Sequence, residues 1–226
     1  MSSSLCQPEK NLGCCACCGI FNLRDISREN CDRFLQYFTG EYDHGRYPDS
    51  DERAAVSCFG KGSGVRDFTS HICPFQGYLS PGKPGCLAHP LVNHGDDGRH
   101  RSLFGSKICG EFLCPAHSIL DTHMRQMLID CAVDWYVYSV GIIDPLSFTW
   151  IIEEFRSIHG QVWDAKKNLV VGALEIHAAY LNSRGIPVFY YGLSEYTAAA
   201  DDFSLVSSKK HMDEERMVIK SFISGK

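Results

Sequence analysis

Cys14-Cys15-Ala16-Cys17-Cys18-Gly19 places four cysteines within five consecutive positions near the N-terminus of the chain. Four thiols held this close cannot all point into one core, and neighbouring thiols are prone to oxidation. A soft metal ion resolves both difficulties, because it binds thiolates and compensates their charge. The stretch therefore predicts half of a metal site, and the other half is expected among the cysteines that follow.

The composition of the 226-residue chain is that of an ordinary globular protein, with 44% hydrophobic and 22% charged residues. Its net charge of -5 argues against a nucleic-acid partner, because nucleic-acid-binding domains are usually basic. No secretory leader is recognisable, so we expect a cytoplasmic protein with reduced cysteines. Residues 129–143 are apolar but contain Asp130 and Asp134, so we expect neither a membrane span nor a membrane partner.

The N-terminal half is expected to contain one clear helix among irregular segments. An apolar stripe at helical spacing predicts this helix over residues 25–38, with Ser27 as its N-cap and Gly40 as its stop. Cys31 belongs to the stripe and is interpreted as a core residue. Residues 54–116 are rich in glycine and proline and show no regular period, so we expect bound metal to hold them together.

The C-terminal half is predicted to be α-helical. Residues 117–140 form one long amphipathic pattern, and Asp144-Pro145 is a typical N-cap and first position of a second helix. A third helix is predicted over residues 165–182. Further short elements are predicted as an extended piece at 188–191 and as helices at 195–200 and 213–223.

Together these patterns predict an α+β or mainly α fold, in which an irregular, cysteine-rich, metal-bound region packs on a helical region. The two regions are assigned to residues 1–116 and 117–226. The boundary near 115–118 has no linker-like composition, so one fused domain fits the sequence equally well.

Nine cysteines outside the first helix are candidate metal ligands. Cys14-x-x-Cys17 has the spacing of a ligand knuckle, in which two thiols converge from one tight turn. Because adjacent side chains of an extended segment point apart, Cys17 and Cys18 are expected to have different roles. The preferred ligands are Cys14, Cys17, Cys18, Cys73, Cys86, Cys109 and Cys114, with Cys15 and Cys58 as weaker candidates.

Histidines are frequent in the same region, and two of them stand close to candidate cysteines. His89 follows Cys86 and His117 follows Cys114 by three residues each, so either could complete a site with three cysteines and one histidine. For each of these histidines we nevertheless expect a solvated or hydrogen-bonded side chain.

These motifs resemble the YkgJ-type family of zinc- or iron-chelating proteins. Cys14-x-x-Cys17-Cys18-Gly19 is similar to the family's first cysteine cluster, and segments 85–90 and 109–114 are similar to its later cysteines. Arg99 and Arg101 lie where that family carries a short arginine-containing segment. The resemblance covers residues 14–115, and it implies metal binding without implying a particular reaction.

The sequence leaves three functional hypotheses open, and all have a metal ion or cluster as the bound partner. The first is a cysteine-ligated metal-binding protein that holds an iron–sulfur cluster or zinc. The second is an iron–sulfur oxidoreductase that transfers electrons, and the third is a protein-interaction module stabilised by zinc. The alternative to all three is a set of reduced thiols without metal. No nucleotide-binding or hydrolase motif is present, so the sequence does not decide whether the protein is an enzyme.

Overall fold

The computed structural model describes residues 5–8, 11–43, 45, 64–65, 72–102, 104–160, 162–184 and 209–226, which form a mainly helical fold with one small sheet. This confirms the predicted α+β or mainly α class, while the division at residue 116 stays a prediction. Strands β1 (Gln76–Ser80) and β2 (Lys83–Cys86) pair antiparallel. The α-helices are α1 (Arg28–Asp43), α2 (Gly105–Glu111), α3 (Ala116–Ile119), α4 (Thr122–Cys131), α5 (Trp135–Ile143), α6 (Pro145–His159), α7 (Trp163–Arg184) and α8 (Lys209–Ser224).

Helix α1 begins as the sequence predicts and ends later. The Ser27 hydroxyl accepts a hydrogen bond from the Asn30 amide at 3.4 Å, which is the expected N-cap contact. The predicted stop at Gly40 is wrong, because the helix continues to Asp43. Gly40 is not among the described residues with positive φ, so it does not form the left-handed turn by which glycine ends helices.

The hairpin of β1 and β2 lies in a segment for which the sequence analysis predicted no regular structure. Ser80 pairs with Lys83, so Pro81 and Gly82 form the two-residue turn, and Gly82 has a φ of 73°. A Cβ atom at Gly77 would lie 2.6 Å from the Thr39 hydroxyl oxygen of α1. The glycine therefore allows the hairpin to pack closely against α1.

The predicted long helix over residues 117–140 is wrong, because the chain divides there into α3, α4 and α5. Asp121 accepts a hydrogen bond from the Met124 amide at 2.7 Å, and Asp134 accepts one from the Val137 amide at 3.0 Å. Each aspartate is an N-cap that starts a new helix. These local bonds outweigh an apolar period that continues across both breaks.

The later helices follow the sequence more closely. Asp144 caps α6 by accepting from the Ser147 amide at 3.0 Å, as predicted. Helix α7 covers the predicted 165–182, and α8 includes the predicted 213–223. The elements predicted at 188–191 and 195–200, and the candidate ligand Cys58, lie outside the described residues. No described helix is both long enough and apolar enough to cross a bilayer.

Helix α5 is central to the core, since every one of its residues is buried. One continuous cluster of buried side chains includes residues from α1, the C-terminal helices and the turn at residues 14–18, which we call the cysteine turn. Two tyrosines of α5 reach the N-terminal region: Tyr138 donates to the Leu5 carbonyl and Tyr136 donates to the Ile26 carbonyl, both at 2.7 Å. The helical half thus holds the chain on both sides of the cysteine turn.

Candidate metal centre

The cysteine run forms a tight turn. Residues 16–18 make one turn of 3-10 helix, in which the Cys18 amide donates to the Cys15 carbonyl at 3.0 Å. Gly19 then adopts φ 82°, so that a second 3-10 turn, Ile20–Asn22, can begin immediately. The Cys14 amide also donates to the Cys6 carbonyl at 3.0 Å, which places the segment around Cys6 beside the turn.

Four cysteines from three separate segments line one small cavity. We call Cys6, Cys14, Cys17 and Cys114 the inner cysteine set. The remaining lining side chains are apolar, namely Leu5, Ala16, Phe112 and Ile142. The free space has room for roughly one water molecule. Three of the predicted ligands therefore meet here, and Cys6 joins them although the sequence analysis did not select it.

Backbone amides point at the sulfur atoms of three candidate ligands. The Ala16 amide donates to Cys14 Sγ at 3.4 Å. The Ala88 amide donates to Cys86 Sγ, and the Ala116 amide donates to Cys114 Sγ. In each case the donor stands two residues after the cysteine. Such donors favour the thiolate over the thiol, and hydrogen bonds to sulfur are typical of the surroundings of ligating cysteines.

Burial acts on the same thiols in the opposite direction. It raises the pKa of Cys14 well above the usual range, and the nearby thiols of Cys17, Cys114 and Cys6 raise it further. Burial, together with Cys17 and Cys6, raises the pKa of Cys114 to about 12. These cysteines are therefore neutral thiols near pH 7 unless a cation replaces their protons.

The thiols of Cys17 and Cys18 hydrogen-bond each other, and this contact and burial raise the pKa of Cys17. The expectation that these two side chains point apart is therefore wrong. It assumed an extended segment, whereas consecutive side chains in a 3-10 turn are separated by about 120°. Cys17 lines the cavity and Cys18 does not.

Cys18 belongs to a second group of predicted ligands. The Cys73 amide donates to the Cys18 carbonyl at 2.8 Å, and Cys18 and Cys86 both pack against a small cluster that contains Cys73. Burial raises the pKa of Cys86 to about 11, and the neighbouring thiol of Cys109 adds to this effect. We call Cys18, Cys73, Cys86 and Cys109 the outer cysteine set.

The other candidate residues lie outside these two sets. Cys15 is fully buried and does not line the cavity, and Cys31 is a core residue as predicted. His89 Nδ1 accepts from the Leu91 amide at 3.2 Å. The backbone amide of His117 donates to the Cys114 carbonyl at 2.9 Å.

The described side chains do not form a finished metal site. No disulfide is found among the described cysteines. Within the described part of the chain, no group of three or more histidine, cysteine, aspartate or glutamate side chains has an arrangement that could hold a metal ion. Metal binding at either cysteine set therefore requires side-chain rotation, which is common because the ligands of metal sites are often ordered by the metal itself.

Comparisons with family models, with curated proteins and with solved structures find no match to this chain. The resemblance to the YkgJ-type family stays a prediction.

Proposed function

We propose that this protein binds a metal ion through the thiolates of the inner cysteine set. The observation that carries the proposal is the cavity itself, which four cysteines from three segments line together with apolar side chains. A divalent ion would replace the thiol protons, remove the mutual repulsion of the thiolates and join the three segments. Four thiolates satisfy the usual tetrahedral preference of zinc.

The amide donors at the sulfur atoms favour ligating thiolates over ordinary buried thiols. Cys14 and Cys114 accept hydrogen bonds from backbone amides. Cys131, a buried cysteine of α4, instead donates its S–H to the Leu128 carbonyl at 3.5 Å. A thiol that donates to a carbonyl is satisfied as a thiol, whereas a sulfur that accepts from amides is better satisfied as a thiolate.

The size of the cavity favours a single ion over a cluster. With room for roughly one water molecule, it can take a zinc ion after modest rotation of the thiols, whereas a cluster of several iron and sulfide ions needs a larger opening. We therefore place zinc first and an iron–sulfur cluster second. The corresponding role is that of a protein-interaction module whose fold is stabilised by zinc. Its reduced thiols require a reducing compartment such as the cytoplasm.

The test is the metal content of protein purified without oxygen, measured together with its visible spectrum. The proposal predicts retained zinc, no visible colour, and loss of that zinc in the Cys6→Ser/Cys114→Ser variant. Iron with acid-labile sulfide, lost in the same variant, would replace zinc with a cluster and would revive the electron-transfer hypothesis.

The matched control is Cys31→Ala/Cys131→Ala, which removes two buried cysteines outside both sets. This variant should keep the metal content of the original chain. A protein that binds no metal under reducing conditions, with all its thiols open to alkylation after mild unfolding, would refute the proposal.

A further inference from the structure

We propose that the outer cysteine set binds a second metal ion, and that this ion exchanges with solvent more readily than the inner one. The inference rests on the proposed function, because it extends thiolate ligation to a second group. Its starting point is that Cys17 lines the inner cavity, whereas the next residue, Cys18, packs against the cluster that contains Cys73.

The backbone holds two members of the outer set together. The Cys73 amide donates to the Cys18 carbonyl at 2.8 Å. The fully buried side chain of Gln76 connects the same two residues, since its Nε2 donates to the Cys73 carbonyl at 2.8 Å and to the Cys18 carbonyl at 3.1 Å. Two segments more than fifty residues apart are thus fixed side by side through their main chains.

Cys86, the third member, accepts the same kind of backbone hydrogen bond as Cys14 and Cys114. Cys86 stands at the end of β2, and its sulfur accepts a hydrogen bond from the Ala88 amide. Cys86 also lies close enough to Cys18 to raise the pKa of its thiol. The same backbone arrangement thus occurs at residues 14–16, 86–88 and 114–116, where the amide two residues after the cysteine donates to its sulfur.

The fourth member opens the set to solvent. Cys109 lies on α2, is exposed, and has its sulfur 3.5 Å from the Ser102 hydroxyl. Arg99 Nη1 donates to the Cys109 carbonyl at 3.4 Å, while its Nε and Nη2 donate to the Asp97 carboxylate at 2.8 and 2.9 Å, so this arginine positions the backbone of Cys109 and its charge is already paired. An exposed ligand also gives chelators a direct route to the ion.

Binding at this set is an exchange of protons for one divalent cation. Each thiol that ligates releases its proton to the buffer, and no electron is transferred. The class of ligand is a soft or borderline divalent ion such as zinc, because all the donors are sulfur.

The experiment is an anaerobic titration of metal-free protein with Co²⁺, which reports thiolate ligation by its absorption. We expect the original chain to take up about two Co²⁺ ions and each double variant, Cys6→Ser/Cys114→Ser or Cys73→Ser/Cys86→Ser, to take up about one. Cys109→Ser changes an exposed side chain and should leave the fold intact. It should lower the affinity for the second ion by about 10-fold or more without changing the affinity for the first.

The outcomes separate the two proposals. Uptake of one ion that only the Cys6→Ser/Cys114→Ser variant loses would overturn the second site and leave the proposed function standing. Uptake of one ion that both double variants lose would mean a single shared site, which also overturns this inference. No uptake at all would refute the proposed function as well. Equal release of both ions to a chelator would overturn the predicted difference in exchange.

Discussion

The cysteine region and the helical region both bury ionisable groups, but they compensate them differently. In the helical region His177 lies between two carboxylates, with Glu215 bonded to its Nδ1 and Asp144 Oδ2 3.3 Å from its Nε2. The positive and negative partners all belong to the chain. In the inner cysteine set, by contrast, burial and neighbouring thiols raise the pKa values of Cys14 and Cys114. The charges of the first group balance one another, whereas in the second we propose that a metal ion replaces the thiol protons.

The largest effect is expected from removing the charge at the centre of the helical region. His177→Gln takes the imidazolium from between Asp144 and Glu215, and breaking a buried ion pair of this kind costs about 3–5 kcal/mol. We expect that loss in the free energy of unfolding measured with urea, with metal content per folded chain unchanged. The exposed His123→Gln should stay within about 0.5 kcal/mol of the original. Equal effects of the two substitutions would show that the ion pairs of His177 contribute nothing to the free energy of unfolding.

The next largest effect concerns metal affinity in the cysteine region. Cys114→Ser replaces a strong thiolate ligand with a weak hydroxyl, so the affinity for zinc should fall by more than about 100-fold. This loss exceeds the usual cost of removing a residue that only hydrogen-bonds to a metal ligand. Cys131→Ser is a matched control, since Cys131 is equally buried and serine can still donate to the Leu128 carbonyl. Competition with a coloured chelator measures both affinities. Similar losses in both variants would contradict the assignment of Cys114 as a ligand.

The contribution of His177 should depend on pH. Burial lowers the pKa of His177, but the carboxylates of Asp144 and Glu215 outweigh it and raise the pKa to about 9. The folded state therefore keeps the proton longer than the unfolded state, whose histidine titrates at about 6.5. The stabilisation is complete below about pH 6.5 and is lost as the pH rises through 9. The difference in unfolding free energy between the original chain and His177→Gln should shrink over this interval, and a constant difference would contradict the raised pKa.

The smallest effect tests how the helical region supports the cysteine region. Tyr138→Phe and Tyr136→Phe each remove one buried hydroxyl that donates to a carbonyl at 2.7 Å, so each should destabilise the fold by about 1 kcal/mol. Only Tyr138 bonds to Leu5, the neighbour of Cys6 and part of the cavity wall. We therefore expect a several-fold loss of metal affinity for Tyr138→Phe alone, measured by the same chelator competition. Equal affinities would indicate that the segment around Cys6 does not need this support.

The sequence predicted those features that depend on local chemistry. Ser27 and Asp144 were recognised as N-caps because the cap and the first turn are adjacent in the chain. The breaks before α4 and α5 were missed although Asp121 and Asp134 carry the same signal, because the apolar period was given more weight than the caps. The Pro81-Gly82 turn was likewise visible and was overlooked among the many glycines.

The candidate site was predictable as a list of residues but not as two sets. Cys6 was missed because its place beside Cys14 depends on one backbone hydrogen bond and on Tyr138, neither of which a spacing reveals. The contact between the thiols of Cys17 and Cys18 depends on a 3-10 turn, which no apolar period in the sequence indicates. The recurrence of alanine two residues after Cys14, Cys86 and Cys114 was the signal in the sequence that could have singled these three out.

The most direct test of the central claim is X-ray absorption at the metal edge of the protein loaded with zinc under reducing conditions. Thiolate ligation by the inner cysteine set predicts sulfur neighbours at about 2.3 Å from the ion, and a reduced sulfur count in Cys6→Ser/Cys114→Ser. A first shell of nitrogen or oxygen atoms at about 2.0–2.1 Å would contradict it, because the ion would then be bound by other side chains.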